Sequence, residues 1–393
     1  MERKQKITLS ILLTNLFIAF LGIGLVIPVL PTIMNELKIS GTVVGFLTAA
    51  FALTQLIVSP FAGKAVDRFG RKIMIVIGLL VFGFSEFLFG LGKTIEVLFL
   101  SRILGGVSAA FIMPGVTAFI ADITTMATRP KALGFMSAAI STGFIIGPGI
   151  GGFLADLGTR VPFFTAGVLG TIAAILSVIL LKEPERKQQE HFGDSGTAGK
   201  SSLQKILMPM FLIAFIVIFV SSFGLAAFES FFSLFVDHKF AFTPKDIAIA
   251  ITGGAILGAI FQVVLFDRLT KVLGEIKLIQ LCLVLSAVLV FALTVVNSYM
   301  MVMAVTFTVF IGFDLIRPAV TTYLSRIAGN EQGFVGGMNS FFTSLANVFG
   351  PIIGGWMFDI DINYPFYFGT VIIVIGLAIA MVWKDPAAKK MAA

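Results

Sequence analysis

The sequence predicts an all-α integral membrane protein: twelve transmembrane helices in two pseudo-symmetric six-helix halves. Three observations lead there. Hydrophobic residues make up 58% of the 393 and charged residues only 12%, with a mean hydropathy of +1.03. A water-soluble domain carries about 25% charge. Apolar stretches of about 18 residues or more, long enough to cross a bilayer as a helix, recur twelve times. Landmarks of the first half also return in the second.

The spans fall at 8–31, 41–63, 73–92, 95–121, 132–156, 162–181, 206–236, 246–266, 276–296, 299–325, 333–357 and 364–383. The first follows "MERKQK"; it is too long for a signal-peptide core and lacks a small-residue cleavage site, so a retained helix is expected. Lys38 separates spans one and two, the basic loop 64–72 spans two and three, and Lys93 spans three and four. Arg129 and Lys131 follow span four, and Arg160 follows span five. The longest polar segment, "KEPERKQQEHFGDSGTAGKSSLQK", divides six spans from six. The domains expected are thus an N-terminal bundle, 1–181, a cytoplasmic linker, 182–205, and a C-terminal bundle, 206–393.

Basic residues choose the orientation. With the N-terminus inside, 21 of the 28 Lys and Arg lie on cytoplasmic segments and five on outer loops, while Arg102 and Arg317 stay within spans. Both termini are expected to be cytoplasmic. The net charge of +7 is therefore membrane topology, not a nucleic-acid face. The single Cys282 falls in a span and leaves no disulfide framework or cysteine metal site. "DSGTAGKS" in the linker approaches a phosphate-binding loop. It begins with Asp194 instead of Gly, no strand precedes it, and the linker is too short for a nucleotide-binding domain. No ATP and no cofactor are expected, so an ion or substrate gradient must supply the energy.

The halves resemble each other in detail. "GPGIGGFLADLGTRVPFF" from Gly147 and "GPIIGGWMFDIDINYPFY" from Gly350 share Gly, Pro, Gly, Gly, Asp, Pro and Phe at one offset of 203 residues. Duplicated six-helix halves build many secondary transporters, with the substrate site near the midplane between them. A membrane-embedded hydrolase would need a His-ligated metal or a nucleophile–base pair, and both His191 and His238 fall outside the spans.

Three motifs carry a family resemblance. "GKAVDRFGRK" places Gly63, Asp67, Arg68, Gly70 and Arg71 in the connection after span two, with the glycines permitting a tight reversal and Asp67 able to cap a helix or pair with a base. This resembles the GxxxDRxGRK signature of the major facilitator superfamily. "RILGGVSAA" from Arg102 resembles its fourth-helix motif, and "GFIIGPGIGG" the fifth-helix motif of its drug antiporters. "GIGLVIPVLP", "SFGLAAFES", "AITGGAILGAIFQ" and "FIGFDLIRPA" resemble the Bmr/NorA group of multidrug:proton antiporters. The resemblance implies a bacterial plasma-membrane exporter of amphipathic, mostly cationic drugs, driven by protons and functional as a monomer. The alternative is a facilitator or proton-coupled transporter of a sugar or other metabolite. That would favour polar cavity side chains, and the chain has four Tyr and few amides within spans.

Physics gives these residues roles. Gly143, Gly147 and Gly151 recur every four residues, so they line one face and admit a close neighbour, while Pro148 allows bending. Gly350, Pro351 and Gly354 repeat the device. The pattern alone fits a static close-packed contact; the family resemblance implies the alternative, a pivot that keeps the closed state leak-tight. Glu229 lies deep in span seven with no base at i±3 or i±4, which suits a proton carrier. Asp314 and Arg317 sit at i,i+3 in span ten and are placed to pair. The resemblance implies a coupling role for Arg102. Phe228, Phe232 and Phe310 are candidates to line a cavity. Glu86 is either a functional acid or a carboxylate snorkelling from span three, and Asp122 belongs at the cytoplasmic mouth of span four.

Overall fold

A computed structural model describes residues 3–125, 127–184, 209–328 and 332–383. Among these, regular structure is entirely helical, and twelve segments are long and apolar enough to span a membrane. The helices are α1 (Arg3–Val26), α2 (Leu30–Leu37), α3 (Gly41–Phe69), α4 (Arg71–Leu91), α5 (Ile95–Ile123), α6 (Arg129–Ala155) and α7 (Val161–Leu180). They continue as α8 (Pro209–Phe240), α9 (Pro244–Leu273), α10 (Glu275–Val295), α11 (Tyr299–Ala328), α12 (Gln332–Ile360) and α13 (Tyr364–Met381).

Hydropathy finds the apolar middles, but backbone hydrogen bonding carries several helices into their polar ends. α9 continues to Leu273 and α11 to Ala328. The first span is composite. Pro28 and Pro31 each sit at the start of a helical segment, where a missing N–H costs nothing. The chain therefore passes through a 3-10 turn, Ile27–Val29, and restarts as α2. Lys38, at φ 53°, ends it.

The chain divides into two compact units: Met1–Glu190 with Val236–Thr252, and His191–Phe235 with Gly253–Ala393. Most of the expected linker, 185–205, lies outside the described residues. In the first unit α1 packs on α6 and α7, α4 on α5 and α7, and α3 on α5. Its core joins Leu12, Leu16, Leu79, Phe119, Ala166 and Ala173. Small residues set the spacing, as expected where lipid removes the hydrophobic drive between helices. A Cβ at Gly143 would stand 2.8 Å from the Leu21 nitrogen, and one at Gly147 would stand 2.7 Å from the Leu21 oxygen. Gly151 faces the Leu25 carbonyl more closely still. The buried Asn15 amide donates to Ser177 Oγ at 2.7 Å, tying α1 to α7.

The second unit packs α10 on α11 and α13. Phenylalanine rings fill it: Phe228 meets Phe232, Phe310, Phe313 and Phe366 with centroids 5.2–6.3 Å apart. Gly350 and Gly354 of α12 lie against Phe223, Ala226 and Phe231 of α8, the same use of glycine as on α6. Outward faces are apolar, with Val263 83% exposed and Ile179 69%. Water would penalise those faces; acyl chains do not.

Candidate functional site

Three mid-span charges belong to the second unit. Glu229 projects from α8 into accessible space, although its neighbours Ala226, Ala227, Phe228, Phe231 and Phe232 are buried. Asp314, half-buried, and Arg317, exposed, lie near the middle of α11. The Arg317 charge acts on both carboxylates, and that of Asp314 acts on Glu229, so the three form one electrostatic group. The expected Asp314–Arg317 pairing is corrected: among the described residues no ion pair within 4.0 Å joins any of the three. An i,i+3 spacing permits contact but does not compel it. Here Asp314 turns toward α9, where a Cβ on Gly258 would collide with its carboxylate. Gly254, one turn earlier, makes room for Phe310 in the same way. Gly253, Gly254 and Gly258 thus shape a helix face that accepts α11. Sequence reasoning missed this role, since the only signal was the glycine spacing inside "AITGGAILGAIFQ".

The aromatic residues proposed as cavity lining are also corrected. Phe228, Phe232 and Phe310 are 3%, 1% and 6% exposed. The rings of Phe232 and Phe310 both pack on that of Phe228 instead of facing open space. A small apolar cleft lies instead in the first unit, lined by Phe20, Ile23, Phe51, Phe82, Ser108 and Met113.

A second group of charges stands at the α3–α4 connection. Gly63 is an ordinary residue inside α3 with open space at its Cβ position, so it has no part in the reversal. Gly70 makes the turn alone, at φ 108° and ψ 155°, a conformation that disfavours any side chain. Asp67, in the last turn of α3, pairs with Arg71 at 3.2 Å. Arg71 Nε also donates to the buried Asp122 of α5 at 2.8 Å. Glu183, just after α7, accepts the backbone N–H groups of Arg71 at 2.6 Å and Lys72 at 2.9 Å, satisfying the open start of α4. Arg68 is exposed beside the Phe69 ring. Nothing in the sequence marks Glu183 apart from its position at the head of the linker.

In the first unit Arg102 is half-buried, with its Cζ 4.4 Å from the Phe89 ring centroid. Glu86 is 4% exposed, which removes the snorkelling alternative.

The Major Facilitator Superfamily profile matches residues 12–238 and 214–392, nearly the whole chain. The chain belongs to this superfamily. Multidrug resistance protein 1 of Bacillus subtilis (strain 168) is 70% identical over 386 residues, covering 98% of each chain. Multidrug resistance protein 2 of the same organism is 54% identical, over 97% of this chain and 96% of its own. Quinolone resistance protein NorA of Staphylococcus aureus (strain MRSA252) is 46% identical over 96% and 97%. Among solved structures, a bacterial homologue of the human lysosomal transporter Spinster superposes with a TM-score of 0.83 at 16% identity, covering 98% and 97%. The nucleoside transporter NupG gives 0.78 at 14%, covering 97% and 98%. At those identities the superpositions establish the major facilitator fold. This superfamily member is a multi-pass membrane transporter and not an enzyme.

Proposed function

We propose that the protein is a proton-coupled antiporter that exports amphipathic, mostly cationic drugs and dyes across the bacterial plasma membrane. The observation that carries this is the group of Glu229, Asp314 and Arg317, unpaired charges in mid-span in a chain 70% identical to a multidrug resistance protein. Intramembrane acids are expensive, so they persist where they handle ions or substrate. The proposed organisation is two six-helix halves, 1–181 and 206–393, joined by the segment 182–205, with both termini cytoplasmic. The chain works as a monomer, without ATP, under the proton gradient.

The cycle follows from alternating access. From the cytosolic side, an ionised Glu229 or Asp314 attracts the cation, while apolar surface takes its hydrophobic body. Once the site opens outward, protons from the acidic side neutralise the acids and the cation leaves. The return releases those protons inward. Arg317 stabilises the ionised acids between turnovers and keeps the empty site from holding an adventitious cation.

Inside-out vesicles test the sign. An acidic lumen should drive tetraphenylphosphonium into the lumen, and the added cation should in turn draw protons out, because coupling is reciprocal. Glu229→Gln should lower uptake roughly tenfold to a hundredfold, the scale of one lost contact to a charged group. Uptake in wild type that ignores the proton gradient would exclude antiport.

A further inference from the structure

One buried acid has no part in that cycle. Glu86 is buried on α4 of the first unit, and its Oε2 has no hydrogen-bond partner. The hydroxyls beside it are engaged elsewhere: Ser85 donates to the Phe82 carbonyl at 2.8 Å and Ser101 to the Ser85 carbonyl at 2.7 Å. Among the charged groups on the helices packed against α4, Arg102 of α5 is the one whose charge acts on Glu86. α7 carries none, and Arg160 before it donates to Gly90, Gly92 and Glu36. Glu96 is exposed in the first turn of α5. Asp122 on α5 and Asp67, Arg71 and Lys72 around the α3–α4 turn lie at the opposite end of the helices, and the bases of α1 lie in its first turns.

Arg102 nevertheless forms no ion pair with Glu86 within 4.0 Å. Its guanidinium rests on the face of Phe89, one helical turn beyond Glu86, and Phe89 is itself stacked on Phe163 at 4.7 Å and 9°. An ionised carboxylate buried with an orphaned oxygen would take the available guanidinium, because a bidentate bond satisfies both groups. A guanidinium parked on an aromatic ring beside an unbonded carboxyl is the arrangement of a neutral acid.

We propose that Glu86 is a further proton carrier, housed in the first unit, that trades its proton against the Arg102 guanidinium. In one state Glu86 holds the proton and Arg102 lies on Phe89. In the other the O–H bond breaks, the proton passes to water, and Arg102 leaves the ring to bind the carboxylate. One proton is released, the guanidinium keeps its charge, and the buried pair goes from a net charge of one to neutral as the ion pair forms. This rests on the antiport assigned above to Glu229 and Asp314, and it adds a proton to each turnover.

The test uses the full chain, purified and reconstituted, with tetraphenylphosphonium as the transported cation. Infrared difference spectra between acidic and alkaline buffer should contain a protonated-carboxyl band that is lost in Glu86→Gln and displaced in Glu86→Asp. In proteoliposomes, Glu86→Gln should exchange one proton fewer per cation than wild type, read from the membrane voltage at which net flux reverses. The aspartate variant should restore the wild-type ratio. Spectra and ratio both unchanged by Glu86→Gln would overturn the proposal, even if flux fell. A wild-type ratio of zero would instead sink the antiport assignment, and the infrared band would still decide whether Glu86 holds a proton. If the glutamine variant does not fold, displacement of the band in Glu86→Asp decides the matter alone.

Discussion

Asp314 shows how much depends on what a carboxylate leans on. Its carboxylate does not bond the arginine one turn away but lies against Gly258, across the helix contact, where a Cβ would collide with it. Removing its charge therefore does not strand a bonded guanidinium. Asp314→Asn should reach the membrane at close to the wild-type level while losing most proton-coupled efflux. The double replacement of Asp314 and Arg317 by neutral residues should be no more stable than that single one. Gly258→Ala probes the seat itself. A methyl there meets the far end of a flexible side chain, so Asp314 can swing aside and stability should change by less than about 1 kcal/mol. Transport should nevertheless fall, as measured by dye efflux against membrane protein level. Wild-type efflux in Gly258→Ala would mean that the position of Asp314 does not matter. The acids were legible in the sequence because a charge in an apolar window stands out at once. The seat was not, since a glycine in a span carries no mark of what it faces. The rings of Phe228, Phe232 and Phe310 misled for a related reason: with 42 phenylalanines, composition cannot distinguish a lining ring from a packed one.

At the scale of elements, glycines of similar appearance do opposite things. Gly143, Gly147 and Gly151 on α6 touch the α1 backbone, which cannot move aside like a side-chain tip, whereas Gly63 on α3 faces open space. Gly151→Ala should destabilise by about 1–3 kcal/mol through overpacking. Gly63→Ala should be neutral or stabilising by up to about 1 kcal/mol, because alanine favours the helix. Thermal unfolding of the purified variants in one detergent checks both, and equal shifts would refute the contrast. The twelve spans themselves were legible from hydropathy. Their ends were less so, because hydrogen bonding continues where apolarity stops. "GKAVDRFGRK" was expected to form a loop from Gly63, yet its first seven residues are the last two turns of α3. The turn is Gly70 alone, with Glu183 closing it from 112 residues away, a contact that no local spacing announces.

At the scale of the whole chain, the repeat at an offset of 203 residues becomes a physical statement. In each half the fifth span presents glycines to the first: Gly143, Gly147 and Gly151 to α1, and Gly350 and Gly354 to α8. The same kind of glycine contact thus occurs twice, as expected if the transporter works by rocking one repeat against the other. The direction of export depends on orientation, for which the basic residues carry the evidence. Lys131 and Lys277 lie on segments assigned to the cytoplasm and Lys93 and Lys245 on segments assigned outside, and all four are exposed. Cys282 is buried and can be replaced by alanine to give a thiol-free background. Single cysteines at the four lysines should then divide cleanly under an impermeant maleimide applied to intact cells: positions 93 and 245 label, while 131 and 277 label only after permeabilisation. The 21-to-5 asymmetry of Lys and Arg favours this orientation strongly, since basic loops resist translocation. Labelling of 131 and 277 from outside would invert the molecule. The acids of α8 and α11 would then load cations from the wrong side, and export in the sense proposed would fail with the topology.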